Sequence, residues 1–135
     1  MTTRVQGATQ DLQGFLDQYH DGLLRIEKPV PLSAIGALTA RAGQPVLFAN
    51  VEGYDIPIVD CLFVDREAQA RVVGCEPQSV LTTLNAALKE GPRPLAMVDD
   101  GPCREVKLLG DDVDLGVLPI VTHTDRDPYP YTTSF

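Results

Sequence analysis

The chain has 135 residues, 44% of them apolar and 22% charged, with a formal net charge of −8. This length suits a single domain, and the ordinary apolar content excludes a collagen, a coiled coil and a disordered tail. The acidic balance disfavours nucleic acid as a partner, because the chain repels phosphate backbones. No apolar run approaches the roughly 20 residues that span a bilayer, and residues 1–6 lack the apolar stretch of a signal peptide. The sequence therefore predicts a cytoplasmic protein with no membrane partner.

Helices and short strands alternate through the first part of the chain. Residues 12–19 carry apolar side chains at helical spacing, and a second helix is predicted from Ser33, its expected N-cap, to residue 42. Strands are predicted at residues 23–27 and 46–48. Residues 56–63 are almost continuously apolar and predict a strand that is covered on both faces.

Two further helices are predicted before residue 91. Asp65 is placed to cap a helix over residues 66–73, and Ser79 is placed to cap a stronger one that ends before Gly91. These patterns together predict a core. Its expected members are Leu12, Phe15, Leu16, Ile26, Ile35, Leu38, Leu47, Ile58, Leu62, Leu81, Leu84 and Leu88.

Beyond residue 91 the composition favours strands, at residues 95–98 and 105–109, and then a polar, proline-rich stretch. The whole pattern predicts an α/β (α+β) architecture, with a small mixed sheet flanked by helices in an N-terminal domain over residues 1–91. Residues 92–135 are expected to begin a second, β-rich part. Its last strand is expected to be cut at Phe135.

Two clusters could carry chemistry. The carboxylates of Asp111, Asp112 and Asp114 fail the calcium-loop pattern, because counting from Asp112 the sixth and twelfth positions are Val117 and His123 rather than Gly and Glu. A solvated turn is predicted there. Residues 122–127 form the one segment that combines His, carboxylate and hydroxyl groups, but one His and two Asp do not complete a metal shell. A hydrogen-bonded loop histidine is predicted instead.

The cysteines indicate neither a zinc site nor a redox motif. Cys61, Cys75 and Cys103 are odd in number and far apart, with no C-x-x-C spacing. Cys61 lies in an apolar run, which predicts a small buried hydrophobe. Phosphate-binding glycine loops and the hydrolase nucleophile elbow are also missing from the sequence.

Several segments, in order, resemble the N-terminal region of the UbiD-like decarboxylases. They are residues 11–16, 22–30, 45–54, 56–59, 101–106, 110–115, 118–120, the loop with His123 and Asp127, and residues 131–134. Each segment is weakly specific alone, but together they cover nearly the whole chain. The sequence departs from the family at Cys61, where an asparagine is often found, and at Thr124, where a second His is common.

The resemblance implies a reversible loss of CO2 from an aromatic or α,β-unsaturated carboxylic acid, with prenylated FMN, Mn²⁺ and K⁺ as cofactors of the full-length enzyme. The second part of the chain would then lead into a split-barrel-like flavin-binding domain. The family's metal ligands and catalytic residues would all follow Phe135. No catalytic, cofactor-binding or metal-binding residue is therefore carried onto this chain, and none of the cofactors is expected to bind it alone.

By the same resemblance, Ser134 falls where the family has a small hydroxyl near flavin and substrate, with Thr133 and Phe135 beside it. These three residues are the predicted lining of the substrate pocket. Strand alternation would place Ser134 on one face and its two neighbours on the other.

Three functions remain open at this point. The chain is expected to be the N-terminal domain of a homo-oligomeric UbiD-like decarboxylase, inactive alone, whose partner is the rest of that chain. It could instead be a stand-alone subunit that docks on a separate flavin-bearing protein. A third alternative is a small-molecule binding domain without catalysis.

Overall fold

A computed structural model describes residues 12–18, 22–92, 94, 97–101 and 104–132. Its centre is a mixed sheet of three short strands in the order β1 (Leu24–Ile26), β2 (Val46–Phe48) and β3 (Ile58–Asp60). β1 runs parallel to β2, and β3 runs antiparallel to it. The predicted α/β class with a small mixed sheet is confirmed.

The described part of the chain contains four α-helices. They are α1 (Leu12–Gln18), α2 (Ile35–Ala42), α3 (Arg66–Val73) and α4 (Val80–Glu90). All four were predicted, α1, α2 and α4 from the spacing of their apolar residues and α3 from its cap at Asp65, although residues 19–21 lie outside the described ranges. None of the described helices has both the length and the apolar character needed to cross a membrane.

The predicted helix caps have mixed outcomes. The side chain of Asp65 accepts a hydrogen bond from the Ala68 N–H at 2.8 Å, so this N-cap is confirmed. The predicted cap at Ser33 is wrong, because Ala34 is the N-cap of α2 and Ser33 lies in the turn before it. Ser79 holds the predicted N-cap position of α4, but its side chain makes no capping hydrogen bond. A 3-10 turn precedes α2 and another precedes α4, and each turn supplies the start that a capping side chain would otherwise give.

One strand prediction is confirmed over only part of its length, and another is wrong. The apolar run over residues 56–63 forms only β3, because Cys61 adopts a left-handed conformation with φ 62° and turns the chain out of the sheet. Residues 105–109 are exposed and irregular, since no strand in the described part of the chain pairs with them. The remaining strand, over residues 95–98, falls partly outside the described residues, and its described members Met97 and Val98 are exposed and irregular.

The main core includes two residues of β2 and joins residues that are far apart in sequence. Its buried members are Val30, Ile35, Val46, Phe48, Val51 and Val121. Ile26 and Ile58 are half-buried and pack against this cluster. Val121 comes from the far C-terminal part, so residues beyond 91 contribute to the same core as the sheet.

Part of the predicted core is exposed. Phe15 and Ile35 are buried as predicted, and Leu16, Leu47 and Leu62 are half-buried, but Leu12 and Leu38 face solvent. Leu81, Leu84 and Leu88 on α4 are 61%, 44% and 79% exposed. The helix contacts α3 and buries Val80, which leaves the predicted leucine stripe uncovered within the described residues.

Candidate functional site

The C-terminal part of the chain returns to the sheet and carries the one histidine that the structure describes. Residues 118–132, the return segment, place Val121 in the core and His123 just beyond it. The N–H of Tyr131 donates to the Val121 carbonyl at 3.1 Å, which closes the segment on itself. Inside it, Thr124 donates its N–H to Asp127 Oδ2 at 2.8 Å. His123 is therefore held in a turn that is anchored at both ends.

His123 meets a carboxylate from the sheet. Its Nε2 atom lies 3.6 Å from Oδ2 of Asp60, the last residue of β3, and the two side chains are 28% and 21% exposed. The other carboxylate oxygen, Oδ1, accepts a hydrogen bond from the Cys61 N–H at 2.7 Å. The predicted hydrogen bond to the histidine is not present among the described residues, because Nδ1 is buried without a partner and Nε2 lies 3.6 Å from Asp60 Oδ2, which is longer than a hydrogen bond. The imidazole therefore lies beside the Asp60 carboxylate without a hydrogen bond to it.

An aromatic ring completes the surroundings of the imidazole. The ring centroids of His123 and Tyr131 are 5.0 Å apart, with an interplanar angle of 35°. This tilted arrangement is within the usual range for attractive aromatic pairs. The contact fixes the imidazole from the side of the return segment, while Asp60 fixes it from the side of the sheet.

Two clefts share His123 as a wall. The smaller has a volume of about 290 Å³ and lies between residues 56–60 and the return segment. The larger, of about 1050 Å³, lies against α2. Leu118 and Ile120 line both clefts together with His123. Neither lining includes a lysine or an arginine, so both clefts suit apolar groups better than phosphates.

Cys61 is the residue with a perturbed pKa in this region. Burial raises the pKa of its thiol, and the charge of Asp60 raises it further. The thiol therefore stays neutral at pH 7 and is not activated as a nucleophile. The side chain is half-buried, less covered than the sequence predicts. Cys103 lies outside the described residues.

The acidic cluster is the predicted solvated turn. Asp111 and Asp112 are exposed in a 3-10 turn, and Asp114 Oδ1 accepts a hydrogen bond from the Gly116 N–H at 2.7 Å. Within the described ranges no three His, Cys, Asp or Glu side chains come together to hold a metal ion. The predicted pocket residues Thr133, Ser134 and Phe135 lie outside those ranges.

Sequence reasoning found His123 but missed the residues that position it. Asp60 is distant in sequence and ends an apolar run, so no local pattern singles it out. Gly36 carries a weak signal, an isolated glycine inside a helical pattern, which can indicate a packing reason. The structure brings both residues to His123.

Comparison with known proteins identifies the family. Residues 16–88 match the family model described as the 3-octaprenyl-4-hydroxybenzoate carboxy-lyase N-terminal domain. The chain belongs to this UbiD family. The anhydromevalonate phosphate decarboxylase of Methanosarcina mazei is 30% identical over 113 residues, which are 83% of this chain and 25% of that enzyme.

Two solved structures of a UbiD-class enzyme share the fold. An evolved dimeric form of HmfF from Pelotomaculum thermopropionicum, in complex with prFMN, superposes with a TM-score of 0.81 at 34% identity, covering 93% of this chain and 31% of that one. HmfF in complex with FMN superposes with a TM-score of 0.78 at 34% identity. This match covers 91% of this chain and 29% of the HmfF chain. The chain thus spans between a quarter and a third of the length of these relatives.

Proposed function

We propose that this chain acts as the N-terminal domain of a UbiD-class decarboxylase that removes CO2 reversibly from an aromatic or α,β-unsaturated carboxylic acid. The observation that carries the proposal is the superposition of 93% of the chain on HmfF at 34% identity. Residues 1–91 supply most of the α/β domain, whose core also takes in Val121, and residues 92–135 lead toward a flavin-binding domain in the rest of the enzyme. The domain frames the active-site cleft and is not catalytic alone.

The described residues do not form a holding site for metal-bound prenylated FMN. Both clefts at His123 lack an arginine or lysine for the phosphate, and their polar lining consists of hydroxyl, carboxylate and imidazole groups. Asp60 and His123 engage each other rather than forming part of a larger ligand set. No chemical step through the flavin is therefore assigned to them.

In the complete enzyme, residues 133–135 and the cofactors lie beyond the described site. Thr133, Ser134 and Phe135 line the substrate pocket of the complete enzyme, with the Ser134 hydroxyl directed into it. Prenylated FMN, Mn²⁺ and K⁺ are bound by the rest of the enzyme. The enzyme is a cytoplasmic homo-oligomer. Each of these statements is supported by the family membership of residues 16–88.

A domain exchange tests the proposal. The part of HmfF that matches this chain is replaced by residues 1–135, and the hybrid is produced in cells that supply prenylated flavin. We expect a flavin-loaded protein that releases CO2 from the substrate of HmfF. The matched control is the same hybrid with Val46→Asp, which places a charge in the core.

Two results would decide against the proposed role. A folded, flavin-loaded hybrid with no CO2 release would contradict a role in framing the active site. Full activity from HmfF that merely lacks the matched part, with this chain added as a separate protein, would favour the alternative of a stand-alone docking subunit.

A further inference from the structure

α2 approaches the return segment more closely than a side chain permits. A Cβ atom built on Gly36 would lie 2.4 Å from the His123 carbonyl oxygen and 2.8 Å from the His123 Cα. Both atoms belong to the backbone, so no side-chain rotation relieves the overlap. Glycine inside a helix lowers helix stability relative to alanine. The close approach is the feature of this position that requires a glycine.

The contact lies at the wall shared by the two clefts. Gly36, Ala37 and Ala40 line the larger cleft along α2, and His123 lines both clefts. Across the imidazole from α2, Asp60 and Tyr131 contact the His123 side chain. The backbone of His123 is therefore located by Gly36, and its side chain by groups from β3 and the return segment.

We infer that Gly36 is a positioning residue: its missing side chain sets the place of His123 and hence the shape of both clefts. A methyl group at this position pushes the return segment off α2. His123 is then displaced relative to Asp60, and the segment that leads toward residues 133–135 changes direction. An effect of this displacement on decarboxylation rests on the proposed function. The contact between Gly36 and His123 does not depend on that function.

NMR of the unmodified 135-residue chain tests the contact directly. Protons on Gly36 Cα and His123 Cα are expected to give a strong nuclear Overhauser effect, because a Cβ on Gly36 would come within 2.8 Å of the His123 Cα. This measurement needs neither flavin nor a variant. Absence of the effect in a folded sample overturns the inference and leaves the proposed function untouched.

A pair of substitutions on α2 separates positioning from helix stability. Gly36→Ala raises helix propensity but introduces the methyl group, whereas Ala40→Gly lowers helix propensity without adding an atom. With Gly36→Ala we expect exchange of the Tyr131 amide at least about tenfold faster and a changed ring-current shift of the His123 imidazole protons. The Ala49 amide, bonded to the Ile26 carbonyl in the sheet, is expected to be unchanged.

The control substitution Ala40→Gly is expected to affect helix stability but not the position of His123. Ala40→Gly lowers the melting temperature but leaves the His123 shifts and the relative exchange of Tyr131 and Ala49 as they were. Unchanged His123 shifts and unchanged Tyr131 exchange in Gly36→Ala would overturn the inference, and so would equal effects of both substitutions. If Gly36→Ala fails to fold, the nuclear Overhauser measurement decides.

Discussion

Oδ2 of Asp60 lies 3.6 Å from Nε2 of His123 and joins the end of β3 to the return segment. The same carboxylate accepts the Cys61 N–H through Oδ1. Asp60→Ala removes both contacts from a largely covered site. We expect it to lower the free energy of unfolding by about 1–3 kcal/mol in urea denaturation. Asp125→Ala, an exposed carboxylate in the return segment, is the control and is expected to change it by less than about 0.5 kcal/mol. Equal losses would show that the pair has no special role.

Two apolar truncations distinguish the observed core from the predicted one. Ile35 is fully buried, so Ile35→Ala is expected to cost about 2–5 kcal/mol of unfolding free energy. Leu84, which the sequence places in the core, is 44% exposed. Leu84→Ala is therefore expected to cost less than about 1 kcal/mol in the isolated chain. A loss at Leu84 as large as that at Ile35 would mean that the outer face of α4 is covered in solution.

Cys61 is the non-glycine residue that adopts a positive φ among those described. The left-handed region costs an ordinary L-residue roughly 1–2 kcal/mol, and asparagine tolerates it better than most. Cys61→Asn is expected to raise the free energy of unfolding by up to about 1 kcal/mol. Cys75→Asn, at the second half-buried cysteine, is the comparison and is expected to bring no gain. A lower free energy of unfolding for Cys61→Asn would show that the packing of the thiol contributes more to stability than relief of backbone strain.

The raised pKa of Cys61 predicts a pH dependence. Burial first, and then the charge of Asp60, keeps the thiol protonated in the folded chain at pH values where the unfolded chain has begun to ionise. The folded state thus binds more protons in that window, so stability falls as pH rises above the ordinary range of a cysteine pKa. Alkylation of Cys61 by iodoacetamide is expected to need a higher pH than that of a free cysteine model peptide.

Asp60→Asn separates the two causes of that raised pKa. It removes the negative charge but leaves the burial, so the alkylation profile of Cys61 is expected to move part of the way back toward lower pH. Peptide mapping by mass spectrometry resolves Cys61 from the other two thiols. A profile that does not move would assign the whole effect to burial.

The isolated chain is expected to have no decarboxylase activity and to retain no prenylated flavin. The linings of both clefts at His123 carry no lysine or arginine for its phosphate, and the family resemblance places the metal ligands after Phe135. Purification from cells that make prenylated flavin, followed by visible absorbance and metal analysis, checks this. Flavin that co-purifies with manganese in equal amount would contradict it.

The sequence predicted the helices and strands that are marked by residues close together in the chain. α1, α2 and α4 follow from apolar spacing, and α3 follows from Asp65, whose side chain accepts a hydrogen bond from the N–H three residues further on. β1 and β2 follow from short apolar runs between turn signals. Composition could not locate the end of β3, because the left-handed turn at Cys61 interrupts a run that stays apolar. Nor could periodicity show whether the leucine stripe of α4 has a partner.

The candidate site depends on contacts between distant parts of the chain, and these leave little trace in local sequence. His123 stood out by residue type, yet Asp60 and Gly36 are brought to it only by the fold. The sequence predicts a hydrogen bond for His123 but does not identify the group that would make it. The pocket prediction for Thr133, Ser134 and Phe135 came from family resemblance and stays a prediction.

The burial of Val121 among residues from both β2 and the loops around it has a consequence for synthesis on the ribosome. The sheet strands and all four helices emerge before residue 91, but the cluster around Phe48 lacks one wall until residue 121 has left the exit tunnel. Until then, the nascent chain exposes apolar surface that the finished domain covers. Chaperone contact during translation is thus expected to persist until residues 92–121 have emerged from the exit tunnel.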